Sequence, residues 1–331
     1  MNFLGAQYPR FRFPNLGHNV GMKRISILLA LGLAGLAASA QDLKPAKPTE
    51  LKEDPGLSVG KVPDLKMVLP HPIVFSRGWS QKGIWRRDTD GTETRLSSGD
   101  DSSPASYTDG RIYFTRGSGD QHNIWSMKRD GSGERLEISD GYSPQPFAGV
   151  VAFIRREPGK ELGDKEMIWL MLKVGDDFRK VVSAVPASGV YYMTRPVFEP
   201  GTARLIVGTH KHNKGRTGHS TVRVHDFDGT GHNYLWDRAS SGVDGLAVYK
   251  DGSGIHRLGL MSENGVGPDL WKLDGGAGTA KLIADYGLES SLDATSTGQL
   301  LIGVEGKLYI ANKSGSGRVL ITGGNDGIWL D

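Results

Sequence analysis

The stretch Ile124-Trp125-Ser126-Met127-Lys128-Arg129-Asp130-Gly131-Ser132-Gly133-Glu134-Arg135-Leu136 decides the fold. Apolar Ile124 and Trp125 open an alternating segment, and alternation with a period of two is the pattern of a strand. Gly131 follows seven residues after the start, and a second short segment ends at Leu136. Asp-Gly between two such segments is a strong hairpin signal. The tightest such turn places both central residues at positive φ, which glycine tolerates without cost.

The same pattern recurs along the chain. Its copies start at Ile84, Ile124, Ile168, Val222, Leu270 and Leu308, at spacings of 40, 44, 54, 48 and 38 residues. Gly91, Gly131, Gly175, Gly229 and Gly315 each lie seven residues after a start, and Gly276 lies six after. A second pattern precedes the hairpins: SPASYTDGRIYFTR from Ser103, SPQPFAGVVAFIRR from Ser143 and RPVFEPGTARLIVG from Arg195, with weaker forms from Asp244 and Ser291. Each supplies an inner strand, a turn and a second strand. A period of about 40–50 residues with several strands per repeat is a propeller signature, because one four-stranded sheet cannot bury both of its faces.

The count closes. A lone second strand lies at His71–Arg77, and a lone inner segment at Asp326–Leu330 completes that first blade. The prediction is an all-β, six-bladed propeller of four-stranded antiparallel blades over residues 64–331, its first blade closed by the C-terminal strand. Closure leaves no open sheet edge between the first and last blades. The four strands of a blade are called a, b, c and d from the axis outward.

The Ser-Pro-x-x-(Tyr/Phe)-x-x-Gly pattern, followed by (Ile/Leu)-(Trp/Tyr) and Asp-Gly, resembles the repeat of TolB-like propellers, over about residues 65 to 331. TolB proper carries a small α/β domain before its propeller and binds a peptidoglycan-associated lipoprotein. This chain has a Lys/Pro-rich arm, 41–63, in that place. Pectin-degrading oligogalacturonate lyases resemble these propellers too, and they hold a metal on a histidine cluster.

The N-terminus reads as an export signal. Met22-Lys23-Arg24 is basic, Ile25 to Ala37 is apolar apart from Ser26, and Ala38-Ser39-Ala40 fits a cleavage site. The apolar run is shorter than the roughly 20 residues that a membrane span needs. The 22–40 segment therefore implies cleavage after Ala40 and a periplasmic or secreted protein. Residues 1–21 precede a complete signal, so translation is expected to begin at Met22. The chain carries a formal charge of +3, but its first forty residues hold Arg10, Arg12, Lys23 and Arg24 and no acid. The remainder is close to neutral, which argues against nucleic acid as a partner. There is no cysteine, so a core and not a disulfide framework must hold the fold.

The sequence contains no His-Glu-x-x-His and no phosphate loop. Location is more informative. In a propeller the b–c and d–a connections share one face, and here the b–c loops are the long ones. That face is expected to carry function. Its junction residues include Asp101, Asp140, Asp244 and Asp326, with Arg195 standing in blade four where the others have an acid. A ring of carboxylates at a channel mouth attracts a cation or a basic group. Aspartates also serve turns by bonding their own backbone, and that reading needs no ligand. The loop from Thr209 to Ser220 holds His210, His212, Lys214, Arg216 and His219. Histidines two apart on a strand project to one side, so His210, His212 and His219 suggest a divalent metal. The loop supplies no carboxylate, and its lysines and arginine oppose a cation. It equally reads as a solvated, locally basic part of a binding face. Trp85, Trp125, Trp169 and Trp271 recur at one strand position and are expected to pack blades together.

The sequence thus predicts an exported, monomeric, non-catalytic propeller that needs no cofactor. It would bind an envelope or extracellular protein, peptide or glycan on the b–c/d–a face. The alternative is a metal-assisted polysaccharide lyase or hydrolase that uses His210, His212 and His219.

Overall fold

The computed structural model describes residues 69–330, except 79–80, 107–108, 119–120, 158–166, 185–189, 213–217, 230–231, 240, 264–266, 274–278 and 285–288. The expected upstream extension, signal and arm, 1–63, lie outside the described residues.

Six antiparallel sheets follow one another along the chain. Blade 1 holds β1 (Ile73–Arg77), β2 (Gly83–Arg87) and β3 (Glu93–Arg95). Blade 2 holds β4 (Asp101–Ser106), β5 (Arg111–Ser118), β6 (Gln121–Lys128) and β7 (Arg135–Ile138). Blade 3 holds β8 (Tyr142–Phe147), β9 (Val150–Glu157), β10 (Met167–Val174) and β11 (Asp177–Ala184). In blade 4 the inner strand is split into β12 (Val190–Met193) and β13 (Val197–Phe198), followed by β14 (Arg204–His212), β15 (His219–Asp226) and β16 (His232–Ala239). Blade 5 holds β17 (Ser241–Asp251), β18 (Gly254–Glu263), β19 (Asp269–Lys272) and β20 (Lys281–Ala284). Blade 6 holds β21 (Glu289–Ala294), β22 (Leu300–Val304), β23 (Lys307–Ala311) and β24 (Val319–Gly323). The last strand, β25 (Asn325–Trp329), pairs antiparallel with β1 and becomes the inner strand of blade 1. This is the closure that the sequence predicts.

The closing strand is well anchored. Ile328, Trp329 and Leu330 are buried. The Trp329 amide donates to Asp293 Oδ2 at 2.8 Å, and the Leu330 amide donates to the Pro72 carbonyl at 2.9 Å. Burying an aliphatic or aromatic side chain is worth about 1.5–3 kcal/mol, so the apolar end of β25 holds the ring shut.

Blade seams carry the core. Ile124 and Ile138 of blade 2 pack on Phe153 and Met171 of blade 3. Trp236 of blade 4 meets Trp271 of blade 5 edge-on at 4.9 Å. The repeated tryptophans pack at these seams as expected, and each also carries a cation. Arg77 lies 4.4 Å over Trp85, Arg116 4.9 Å over Trp125, Lys180 4.1 Å over Trp169 and Arg238 5.4 Å over Trp271.

The c–d turns differ from the tightest form. Gly91 and Gly131 take φ of 91° and 86°, but Asp90 and Asp130 are not at positive φ. The Gly91 amide donates to the Asp88 carbonyl at 3.0 Å, and the Asp88 amide donates to the Thr92 carbonyl at 2.9 Å. That is a four-residue turn with a left-handed glycine behind it. The aspartate has a separate job, because Asp90 Oδ1 accepts the Thr92 amide at 2.8 Å and Asp130 Oδ1 the Ser132 amide at 2.9 Å. Gly276 lies outside the described residues.

The inner strands share one irregularity. Register slips occur within β4 between Ser102 and Ala105, within β8 between Tyr142 and Gln145, and within β17 between Val243 and Gly245. Ser103 and Ser143 take positive φ at the first two, and Asp326 does so in β25, where the pairing with β1 also slips between Val74 and Ser76. Such bulges bend a strand and re-aim a side chain. They line the axis of the ring.

Candidate functional site

Arg195 stands at the centre. It sits in the gap between β12 and β13, where Pro196 follows it and cannot donate to a ladder. Its guanidinium spans the axis, donating from Nη1 to the Pro104 carbonyl of blade 2 at 3.2 Å and from Nη2 to the Leu292 carbonyl of blade 6 at 3.4 Å. Asp293 Oδ1 lies 3.9 Å away. A blade 4 side chain thus ties together the two blades that flank blade 1, and it divides the axial channel.

Beyond Arg195, towards the d–a end, is a chamber of 50 Å³ lined by Ser103, Asp244, Ser291 and Asp326. Burial among converging strands pushes the Asp326 carboxyl up, although the nearby Arg195 charge and hydrogen bonds from Ser103 and Ser76 pull the other way. Burial also pushes Asp244 up, even though its side chain opens to the channel space. Tyr192 of β12 is pushed up to about 12 by burial and by the Asp244 charge. On the a–b side lies a larger vestibule of 310 Å³, walled by Phe147, Phe198, Tyr249 and Trp329, with Arg195 and Lys250 among its lining residues. The residues read as a mouth ring therefore separate. Arg195, Asp244 and Asp326 meet inside the channel. Asp140 lies in the d–a connection at φ 56°, on the wall of an outer cleft. Asp101 points into its own blade, where its side chain is fully buried and Arg116 Nε donates to it at 2.7 Å.

The histidine loop is only partly described. Lys214 and Arg216 lie outside the described residues, and His212 is described as the last backbone position of β14. His210 is buried, with Nδ1 2.5 Å from Ser220 Oγ and its ring 4.9 Å from Tyr192. Register pairs His210 with Ser220 and Lys211 with His219. Directly opposed residues share a face, so His210 and His219 project from opposite faces of the sheet. His219 Nε2 instead lies 2.9 Å from Asp237 Oδ1. Among the described residues no group of three or more His, Asp or Glu side chains is arranged to hold a metal.

The b–c/d–a face also carries a cleft of 730 Å³ between blades 2 and 3, which the sequence reading missed. His122, Asp140, Tyr142, Arg155, Arg156 and Phe178 line it. Its signal in the sequence is visible only when equivalent positions of blades 2 and 3 are set side by side.

No protein-family profile matches the chain, and no curated protein matches it. Solved structures do. TolB from Acinetobacter baumannii superposes with a TM-score of 0.57 at 15% identity, covering 78% of this chain and 66% of that one. This chain thus spans slightly less than two thirds of TolB. A chain of a nidogen/laminin complex matches with a TM-score of 0.55 at 12% identity, covering 78% of this chain and 97% of that chain. A Hadza microbial sialidase matches with a TM-score of 0.50 at 11% identity, covering 76% and 68%. At such identities the likeness is one of fold. The class is the six-bladed β-propeller. Within it, this chain has the TolB-like propeller arrangement, recognised from its repeats and matched by TolB itself.

Proposed function

We propose that this chain is an exported, non-catalytic propeller that binds a protein, peptide or glycan partner on the b–c/d–a face. The observation that carries the reading is one-sided elaboration. On the other face the turns are tight: Ala148-Gly149 joins β8 to β9, and Gly252-Ser253 joins β17 to β18. Strands of blades 4 and 5 run long. β14 has 9 residues, β17 has 11 and β18 has 10, against 5 in β1 and in β22. Their ends carry polar groups into solvent, including His219 with Asp237, and Arg238 paired with Glu263 across blades 4 and 5. Rigid strands whose longest connections fall at one end suit recognition. The solved neighbours include a protein–protein complex, which supports such a use of the fold but does not specify it. Export rests on the 22–40 signal. Among the described residues no helix is long and apolar enough to cross a membrane.

The test is saturable partner capture from envelope extract with purified protein. Shortening 213–217 to a two-residue turn should abolish capture, whereas replacing Thr89 and Asp90 on the opposite face should not. Equal capture by both variants contradicts the proposal. Stoichiometric zinc or manganese lost in His212→Ala, with polysaccharide turnover, would establish the enzymatic alternative in its place.

A further inference from the structure

The first three blades share a Phe-x-Arg motif at the b–c end of strand b: Phe75-Ser76-Arg77, Phe114-Thr115-Arg116 and Phe153-Ile154-Arg155. In each, the guanidinium lies about 5 Å from the ring of its own phenylalanine. The three arginines differ in what neutralises them. Arg77 Nη2 donates to Glu93 Oε2 at 2.7 Å. Arg116 grips Asp101 at 2.7 and 3.1 Å and Glu134 at 3.0 Å. Arg155 has no ion pair among the described residues, and donates to the backbone carbonyls of Asp140 at 2.9 Å and Ser139 at 3.0 Å.

The sequence explains the difference. Glu134 lies three residues after the turn glycine Gly131, and the residue three after Gly175 is Phe178. Asp101 lies two residues before Ser103 of the Ser-Pro motif, and the residue two before Ser143 is Gly141. Both carboxylates that neutralise Arg116 are therefore replaced in blade 3. At Gly141 no side chain fits, since a Cβ would lie 2.8 Å from the Phe153 ring. At Phe178 a half-exposed ring lies 5.0 Å under the Arg155 guanidinium. Loss of the two acids coincides with the 730 Å³ cleft. His122, whose buried Nδ1 has no hydrogen-bond partner, lines the same cleft.

We infer that this cleft is a carboxylate-binding subsite, and that it takes an acidic side chain of a peptide or protein partner on Arg155. The inference rests on the binding role proposed for this face. A partner carboxylate would occupy the place that Glu134 fills beside Arg116, reaching the Arg155 nitrogen that the Asp140 and Ser139 carbonyls leave over, above the Phe178 ring. The lining favours a single carboxylate over a polyanion, because Asp140 and Glu157 also border the cleft and repel repeated negative charge.

The test uses the whole protein and three probes: a hexapeptide with one central Glu, its Gln analogue, and trigalacturonate. Ring signals of Tyr142 and Phe178 are followed by NMR. The Glu peptide should shift them saturably, and the Gln peptide should bind about tenfold more weakly. Arg155→Gln should remove the difference. Phe178→Glu, which supplies the acid that blade 2 has, should abolish binding while the unfolding curve is unchanged. Equal binding of the two peptides, no shift with either, binding of trigalacturonate alone, or full binding by Phe178→Glu would each overturn the inference. If Arg155→Gln still captures the partner while shortening 213–217 does not, this subsite falls and the binding face stands. If neither the wild type nor any variant captures a partner, the binding role itself falls.

Discussion

Arg116→Met isolates what one buried ion pair does for the fold. The substitution keeps a flexible apolar stem near Phe114 and Trp125 but removes the charge. It strands Asp101, whose side chain is fully buried. Two outcomes are open to that carboxylate. It can stay charged with only the Ser97 hydroxyl donating to it, which costs up to about 3–5 kcal/mol. It can instead take up a proton, which for an ordinary aspartate at pH 7 costs about 4 kcal/mol, or about 1.4 for each pH unit above its usual range. The cheaper route sets the penalty, so the variant should lose about 3–4 kcal/mol at pH 7. At pH 5 proton uptake costs only about 1.5 kcal/mol, and the deficit should shrink by about 2. The sign follows from linkage: the folded variant holds a proton that the unfolded chain releases at this pH, so its stability falls as pH rises. Urea unfolding of wild type and variant at both pH values measures this. The double variant Asp101→Asn/Arg116→Met should recover most of the loss. A deficit below about 1 kcal/mol, or one that does not change with pH, would refute the reasoning.

Other outcomes follow from the channel and the turns. Asp326→Asn should raise thermal stability at pH 7, because burial makes the ionised carboxylate costly there. The gain should vanish below about pH 4, where the aspartate is protonated in both states, and a gain independent of pH would contradict it. Arg195→Met should cost about 1.5–3 kcal/mol, since it removes charge-assisted bonds to two other blades. Arg195→Lys should not restore it, because an ammonium cannot fork between the Pro104 and Leu292 carbonyls. Gly83→Ala should cost about 3 kcal/mol or more, as Gly83 has φ 133° and a Cβ would lie 2.1 Å from the Ser97 carbonyl oxygen. Denaturation midpoints read both changes.

The fold was legible because its cause is local and repeated. A glycine seven residues after an Ile-Trp pair sets one hairpin, and six such hairpins at a near-constant period leave few architectures that bury both faces of every sheet. Closure was legible too, since apolar Ile328-Trp329-Leu330 had no partner strand within its own repeat. The turn type was less so. Asp90 and Asp130 read as residues for a two-residue turn, whereas their side chains bond the amides two residues on and the backbone forms a longer turn. Residues on the axis were the least legible. Asp244, Asp326 and Arg195 come from three blades, and nothing along the chain says that Arg195 reaches across to Pro104 and Leu292. Asp101 and Asp326 look alike as d–a junction acids, but one turns into its blade and the other into the channel. Arg155 was hidden in a motif that it shares with Arg77 and Arg116. Its difference lies in which residues are missing around it, at positions far apart in sequence.

Hydrogen exchange with the captured partner bound tests the binding face most directly. The account predicts slowed amides confined to the b–c and d–a ends: the segments around Asp140, from Arg155 to Trp169, from Thr209 to Thr221 and from Ala239 to Asp244. Slowing confined to the opposite turns, at Asp88–Thr92, Lys128–Ser132 and Asp251–Gly254, would contradict it.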